Sequence, residues 1–369
     1  MGERVLSVRE LNRALLARQL LLEQADLPPE RAAEAVCGLQ TQHAPSGYVG
    51  LRARTGALRA ELTAALHRAT VVQGWVMRTT IHMVSAADYA PFTAAVRTAR
   101  RRSWLRAEKR AAELDMSAVG NALRRHLADG PRTQAELVAL LVADGFPKVA
   151  WAGAQLWVDL LRVPPAGTWD KPRAHVFALA EQVLPVSPPI DDDVARTQLV
   201  ARYLGAFGPA SVQDASSFTG LSIGGARAAL ARLELRQFRT ESGVELVDLP
   251  DAPLPPAATP APVRFLGTWD ATLLVHARRT QLLPEAYRQQ VFAVSMPRSV
   301  PTFLVDGQVA GTWRFVDARV EWTPFRDPDH CGAPCRRRRG RAPCRLALVR
   351  HVPKPSTRAS VCSDSRVRL

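Results

Sequence analysis

One local pattern recurs three times along residues 1–250 of this 369-residue chain. Each time, two or three amphipathic helices with strong N-caps are followed by a strand or hairpin. In the first pass, Ser7 with Glu10 three residues on forms a capping box. Val8, Leu11, Leu15 and Leu22 mark an apolar stripe at helical spacing, widened by Leu16 and Leu20. Asp26-Leu27-Pro28-Pro29 breaks the chain, and Pro29-Glu30-Arg31 opens a second helix running toward Leu39. A third helix is expected over 56–68 and an apolar strand over 75–84. The second pass has helices at 116–129, from Thr133-Gln134-Ala135-Glu136 onward, and at 149–161. Gly167-Thr168-Trp169-Asp170 then turns into a strand at 174–180. In the third, helices cover 191–205, a segment from Ser211 to near Gly220, and 222–234. Strands follow at 235–239 and 244–249, turned by Thr240-Glu241-Ser242-Gly243.

Three such units, spaced by about 80–100 residues, fit tandem winged helices better than one irregular helical domain. Their expected bounds are 1–115, 116–187 and 188–250. Pro250 to Pro262 is a Pro/Ala-rich linker. Beyond it, strands at 264–267, 291–294, 302–305 and 310–314, with a hairpin turn at Asp306-Gly307, predict a small β-rich, barrel-like C-terminal domain over 251–325. The expected fold class is mainly α with β: three tandem winged-helix units, this β-rich domain, and an Arg/Pro/Cys-rich, disordered tail over 326–369.

The net charge of +15 points to a polyanionic partner, because neutralising phosphates releases counterions. Residues 331–369 hold ten Arg and one Lys against one Asp, so they supply +10 of it. The case for nucleic acid therefore rests on where the other arginines sit. Arg97, Arg100, Arg101, Arg102 and Arg106 crowd one stretch around Trp104. That stretch is either a phosphate-binding surface or a solvated helical face with Glu108 and Glu113 nearby. No segment approaches the ~18 consecutive apolar residues of a membrane span. Met1-Gly2-Glu3-Arg4-Val5 has charges where a signal peptide needs an apolar core, so a cytoplasmic protein without a membrane partner is expected. Cys331, Cys335, Cys344 and Cys362 all fall in the tail, at spacings that match no standard zinc ribbon or finger. The preference for Arg over Lys and the high Ala content suggest a GC-rich gene. A shifted reading frame of such a gene would encode a tail like this one, with the native sequence lost after about Pro324. Resequencing the 3′ end checks this: an intact frame would sink it.

The usual catalytic constellations are absent: there is no Gly-x-Ser-x-Gly elbow, His-Glu-x-x-His helix, Walker loop or Gly-x-Gly-x-x-Gly fingerprint. Asp191-Asp192-Asp193 leads a helix and reads as capping rather than as a metal site. What remains is Gln40-Thr41-Gln42, after a helix and before a turn expected at Pro45-Ser46-Gly47. If residues 40–42 are extended, both amides lie on one side of the backbone. Two such neutral amides can position a water without ionising.

These residues carry a resemblance. Gln40-Thr41-Gln42, Gly50-Leu51-Arg52-Ala53-Arg54 and Arg78-Thr79-Thr80-Ile81-His82 occur in the order found in the winged-helix DNA glycosylases of the AlkZ type. Trp269-Asp270-Ala271-Thr272-Leu273-Leu274 with Arg278-Arg279, and Asp306 to Arg314, are similar to later segments of that family. The resemblance implies that Gln40 and Gln42 hold the attacking water and stabilise the transition state. Arg78, Thr80 and His82 would line the same cleft, with Arg52 and Arg54 binding DNA. His82 is equally readable as a strand residue in a structural hydrogen-bond network. The implied substrate is double-stranded DNA carrying alkylated or crosslinked bases, handled by a monomer without cofactor or metal. The family's Gln-x-Gln members are linked to unhooking of interstrand crosslinks, and Gln42 places this chain with them. The alternative is a non-enzymatic winged-helix transcriptional regulator, with Arg227, Arg232 and Arg236 near DNA.

Overall fold

The computed structural model describes residues 4–109, 113–185, 188–274, 279–292, 299–316 and 319–325. The tail, with its cysteines and the reading-frame expectation, lies outside them, as does Arg278. The chain opens with β1 (Arg4–Leu6) and α1 (Val8–Arg18), which has the expected capping box: Ser7 N–H donates to Glu10 Oε2 at 2.9 Å and Glu10 N–H to Ser7 Oγ at 3.2 Å. Leu11, Leu15 and Leu16 are buried, whereas Val8, expected in the stripe, stands 51% exposed. α2 (Pro29–Ala35) stops before the expected Leu39, because Cys37 (φ 58°) and Gly38 (φ 78°) are left-handed. A Cβ on Gly38 would also lie 2.9 Å from Val84 Cγ1, so glycine is required there for conformation and for space. β2 (Leu39–Gln40) follows.

Two expectations fail in the next stretch. Pro45-Ser46-Gly47, read as a turn, begins α3 (Pro45–Thr55), since proline at the first helical position loses no needed N–H. α4 (Arg59–His67) is the helix expected over 56–68. The strand expected over 75–84 is a hairpin, β3 (Val71–Val76) and β4 (Thr80–Ser85). Its turn uses Met77 (φ 51°) and Thr79 (φ 63°), left-handed residues that no Gly or Asn signal announces. Ser85 then caps the long α5 (Ala86–Ala107).

The second stretch comprises α6 (Met116–His126), β5 (Arg132–Thr133), α7 (Gln134–Ala143) with a Thr133/Glu136 capping box, α8 (Ala150–Ala154), β6 (Leu160–Arg162), β7 (Val176–Leu179) and α9 (Ala180–Val183). The helix expected over 149–161 is cut short because Leu160–Arg162 pairs as a strand. In the third, α10 (Asp192–Phe207) is capped by Asp191, which accepts from the N–H of Asp193 and Val194. α11 (Val212–Thr219), with its Ser211/Asp214 box, ends at left-handed Gly220, and α12 (Ile223–Leu230) leads to β8 (Arg236–Thr240) and β9 (Glu245–Asp248).

The sheets do not follow the expected unit bounds. One six-stranded sheet runs β2-β4-β3-β6-β7-β5, so the first stretch pairs edge to edge with the second. β1 lies parallel to β8, giving the sheet β1-β8-β9. The last region holds β10 (Arg264–Leu266), α13 (Arg288–Val291), β11 (Thr302–Val305), β12 (Gln308–Val316) and β13 (Arg319–Pro324). Among the described residues its four strands form an open sheet, β10-β11-β12-β13, and not a barrel. β13 was not foreseen, and Arg288–Val291 is helical where a strand was expected to begin. Asp306 (φ 46°) and Gly307 (φ 79°) make the hairpin turn as read. The largest core joins α1, α5, α10, α11 and α12 to Leu266, Leu273, Leu282 and Leu304 of the C-terminal region. Fully burying each such leucine contributes about 1.5–3 kcal/mol.

Candidate active site

β2 brings Gln40 to the sheet edge, where it pairs with His82 of β4, and Thr41 N–H donates to Ile81 O at 2.8 Å. Thr41 is fully buried, while Gln40 is half-buried and Gln42 exposed. That alternation is what an extended 40–42 segment produces, with both amides on its open side. Gln42 Oε1 accepts from Ile81 N–H at 3.3 Å, and Gln40 Oε1 receives Arg78 Nη2 at 3.5 Å. Both partners can only donate, which assigns the oxygen of each amide to the hairpin and leaves each NH2 facing outward. Each oxygen keeps a second lone pair.

Arg78 sits in the β3–β4 turn and links three groups. It donates to Phe218 O near the C-terminus of α11, where a cation suits the helix dipole, and its Cζ lies 4.9 Å from the Phe218 ring centroid. Its Nη2 also reaches His82 Nε2 at 3.4 Å. His82 Nδ1 lies 2.9 Å from Thr80 O, which makes Nδ1 the protonated nitrogen and Nε2 the acceptor from Arg78. Burial, then the Arg78 charge, pushes His82 down to about 3, against the opposing pull of the Thr80 carbonyl. His82 is therefore a neutral residue at physiological pH. Burial also lowers Arg78 to about 10, and it remains charged. Thr80 Oγ1 lies 3.4 Å from His82 Nδ1.

The structure brings Gln40, Gln42, Arg78, Thr80 and His82 together. Arg52 is half-buried and donates to Gly56 O at the end of α3. Arg54, expected to bind DNA, is corrected by its surroundings: it is 1% exposed and paired with Asp270 at 2.9 and 3.0 Å, with Gln19 Oε1 at 2.9 Å. Burial alone would raise Asp270, but the Arg54 guanidinium holds it below the usual carboxylate range. Beside this pair, Gly38, Gln40, Ser46 and Trp269 line a cavity of about 10 Å³, roughly the space of one water.

The arginine-rich stretch of α5 is also partly spent on packing. Arg97 grips Asp159 at 2.6 and 2.7 Å, and Arg101 donates to Leu156 O and stacks over Trp157. Arg102 and Arg106 are exposed. Two residues escaped the reading of the sequence. Asp270 stands in the sequence only as one member of the Trp269–Leu274 motif. Arg162, which donates to Thr41 O at 2.8 Å, was signalled only by a charge inside the apolar run Leu160-Leu161-Arg162-Val163.

These contacts define a polar cluster built on the β3–β4 hairpin at the edge of the central sheet. The model of the family described as DNA glycosylase AlkZ-like matches residues 33–338, and the chain belongs to that family. The interstrand DNA cross-link repair glycosylase of Streptomyces sahachiroi is 24% identical over 348 residues, covering 85% of this chain and 89% of that protein. The solved structure of the Streptomyces sahachiroi DNA glycosylase AlkZ superposes with a TM-score of 0.72 at 22% identity, over 88% of this chain and 92% of that one. That likeness is one of fold. Among the described residues, no helix is long and apolar enough to cross a membrane.

Proposed function

We propose that this protein hydrolyses the N-glycosidic bond of alkylated purines in duplex DNA, using a water held by Gln40 and Gln42. In this reading the segments 1–115, 116–187 and 188–250 act as winged-helix units that together hold the duplex. The observation that carries the proposal is the anchoring of both amide oxygens by the β3–β4 hairpin on either side of buried Thr41. Anchored amides keep one fixed orientation, and each oxygen can still accept a hydrogen bond from water through its second lone pair. They stabilise positive charge developing on the sugar without themselves ionising.

The neutral state of His82 narrows the substrate. A side chain held unprotonated down to about pH 3 supplies no proton to a leaving base. A purine alkylated at N7 or N3 is already cationic and leaves without one, whereas uracil needs more activation than this set offers. Crosslinks made through such nitrogens carry the same leaving group, so unhooking them belongs to the same chemistry. In the regulator reading, two of the three arginines already have acidic partners. Arg232 pairs with Asp193 at 2.7 Å and Arg236 with Asp248 at 2.8 Å.

Incubation with a duplex containing N7-methylguanine tests the proposal. Base release is expected, undiminished by EDTA, with uracil-containing duplex near background. Comparable rates on uracil would refute the water-positioning mechanism. Sequence-selective binding without release would mark a regulator instead.

A further inference from the structure

Arg162 lies in β6, opposite Gln73 of β3 in the central sheet, and is 2% exposed. Its Nη2 donates to Thr41 O at 2.8 Å and to Gln73 Oε1, while Gln73 Nε2 donates to Gly167 O at 2.9 Å. Gly167 is left-handed (φ 72°), and a Cβ there would overlap Arg162 Nε. Only glycine therefore lets the loop close over the guanidinium. No carboxylate pairs with Arg162 among the described residues. Among the described residues its Nε and Nη1 are buried without a hydrogen-bond partner, as are Thr41 Oγ1 and His175 Nδ1.

A buried guanidinium with no carboxylate and two idle donors is a poor way to stabilise a fold, since an apolar residue of similar volume would avoid its desolvation. What Arg162 does is local. Thr41 N–H is held by Ile81 O on one side, and Thr41 O is held by Arg162 on the other. Thr41, the residue between the two glutamines, is thereby held at both its backbone polar groups, just where β2 ends and the chain bends toward α3. The Thr41 carbonyl is the last backbone group held before Gln42, whose own side chain is anchored, among the described residues, only by Ile81 N–H at 3.3 Å.

We infer that Arg162 is a positioning residue for the Gln40-Thr41-Gln42 segment, acting through the Thr41 carbonyl from the neighbouring part of the sheet. This rests on the proposed excision chemistry for its consequence in rate, but its effect on the segment stands apart from activity.

The test uses full-length Arg162→Met and Arg162→Lys, with Arg18→Met as a control for loss of a buried arginine elsewhere. Three quantities are read: single-turnover release of N7-methylguanine, duplex affinity, and hydrogen exchange of the peptide over residues 38–46. Arg162→Met should slow release on the order of 100-fold, as a displaced catalytic group does, with affinity within about threefold. Exchange over 38–46 should rise in Arg162→Met and not in Arg18→Met. Arg162→Lys, which keeps one donor, should recover part of the rate and of the protection. Wild-type release and exchange in Arg162→Met overturn the inference, as does equal exchange in the Arg18→Met control. If Arg162→Met does not fold, Arg162→Lys decides by the same readouts, since an unchanged rate and unchanged exchange there overturn it. If the wild-type protein releases no alkylated base, the proposed function fails and the exchange comparison still decides the role of Arg162.

Discussion

Two buried arginines approach the glutamine segment from different parts of the molecule, and they are satisfied in opposite ways. Where α3 meets the C-terminal region, Arg54 gives both terminal nitrogens to Asp270, and adds Gly50 O and Gln19 Oε1. Asp270 in turn accepts from Thr272 N–H and Oγ1. Where β3 meets β6, Arg162 has only carbonyl and amide oxygens, and two of its donors are idle. The first is an ion-pair network, with Arg54 Nε alone of its nitrogens left without a partner among the described residues, that ties distant chain segments together. The second holds one peptide carbonyl. Burial of a charge alone therefore does not tell a lock from a positioning device; the partner set does.

The largest expected effect comes from breaking the lock. Asp270→Asn leaves the Arg54 charge buried without a carboxylate and should cost about 3–5 kcal/mol of unfolding free energy, read from the urea midpoint. Arg162→Met should stay within about 1 kcal/mol of wild type in the same assay. Similar losses for both would erase the distinction.

Next come the groups that the two arginines flank. Gln40→Ala or Gln42→Ala should reduce excision by about 10²–10³-fold, the cost of a lost transition-state contact, with DNA affinity changed only a few-fold. Parallel losses of affinity and rate would make the amides binding contacts.

A more gradual effect, spread over several pH units, concerns His82, which burial keeps neutral. Its folded value of about 3 lies below the ordinary 6.5. Between those values the unfolded chain takes up a proton that the folded protein refuses. The contribution of this residue is thus full above pH 6.5 and falls as pH drops toward 3, by up to about 1.4 kcal/mol per pH unit. His82→Gln should flatten that part of the stability–pH curve; an unchanged slope would mean that other groups set it.

The smallest effect separates spent from free arginines on α5. Arg102→Ala and Arg106→Ala should weaken DNA binding regardless of sequence, and lower the salt slope by about 1 each. Arg97→Ala, which breaks the Asp159 pair, should leave the slope unchanged. A flattened slope in Arg97→Ala would place that arginine on phosphate after all.

The helix starts at Ser7, Thr133, Asp191 and Ser211, the turn at Asp306-Gly307 and the extended course of residues 40–42 were all legible in the sequence. Each cap or turn is settled by groups within a few residues of one another, so the neighbouring residues alone carry the information. The β3–β4 turn was not legible, because Met77 and Thr79 adopt left-handed conformations that only the surrounding packing imposes. Nor was α3, whose opening Pro-Ser-Gly has the composition of a turn, and whose Gly47 and Gly50 pack closely against Met83, Thr41 and Leu39.

Sequence by itself determined the family of motifs and the residue types available for chemistry. Tertiary structure decided which of them meet: that Arg54 is consumed by Asp270 216 positions away, and that Arg162 reaches Thr41 across 121. The physical reason is range. Caps and turns are formed by neighbours along the chain, whereas sheet pairing and the partners of a buried guanidinium depend on which distant segments the core brings into contact.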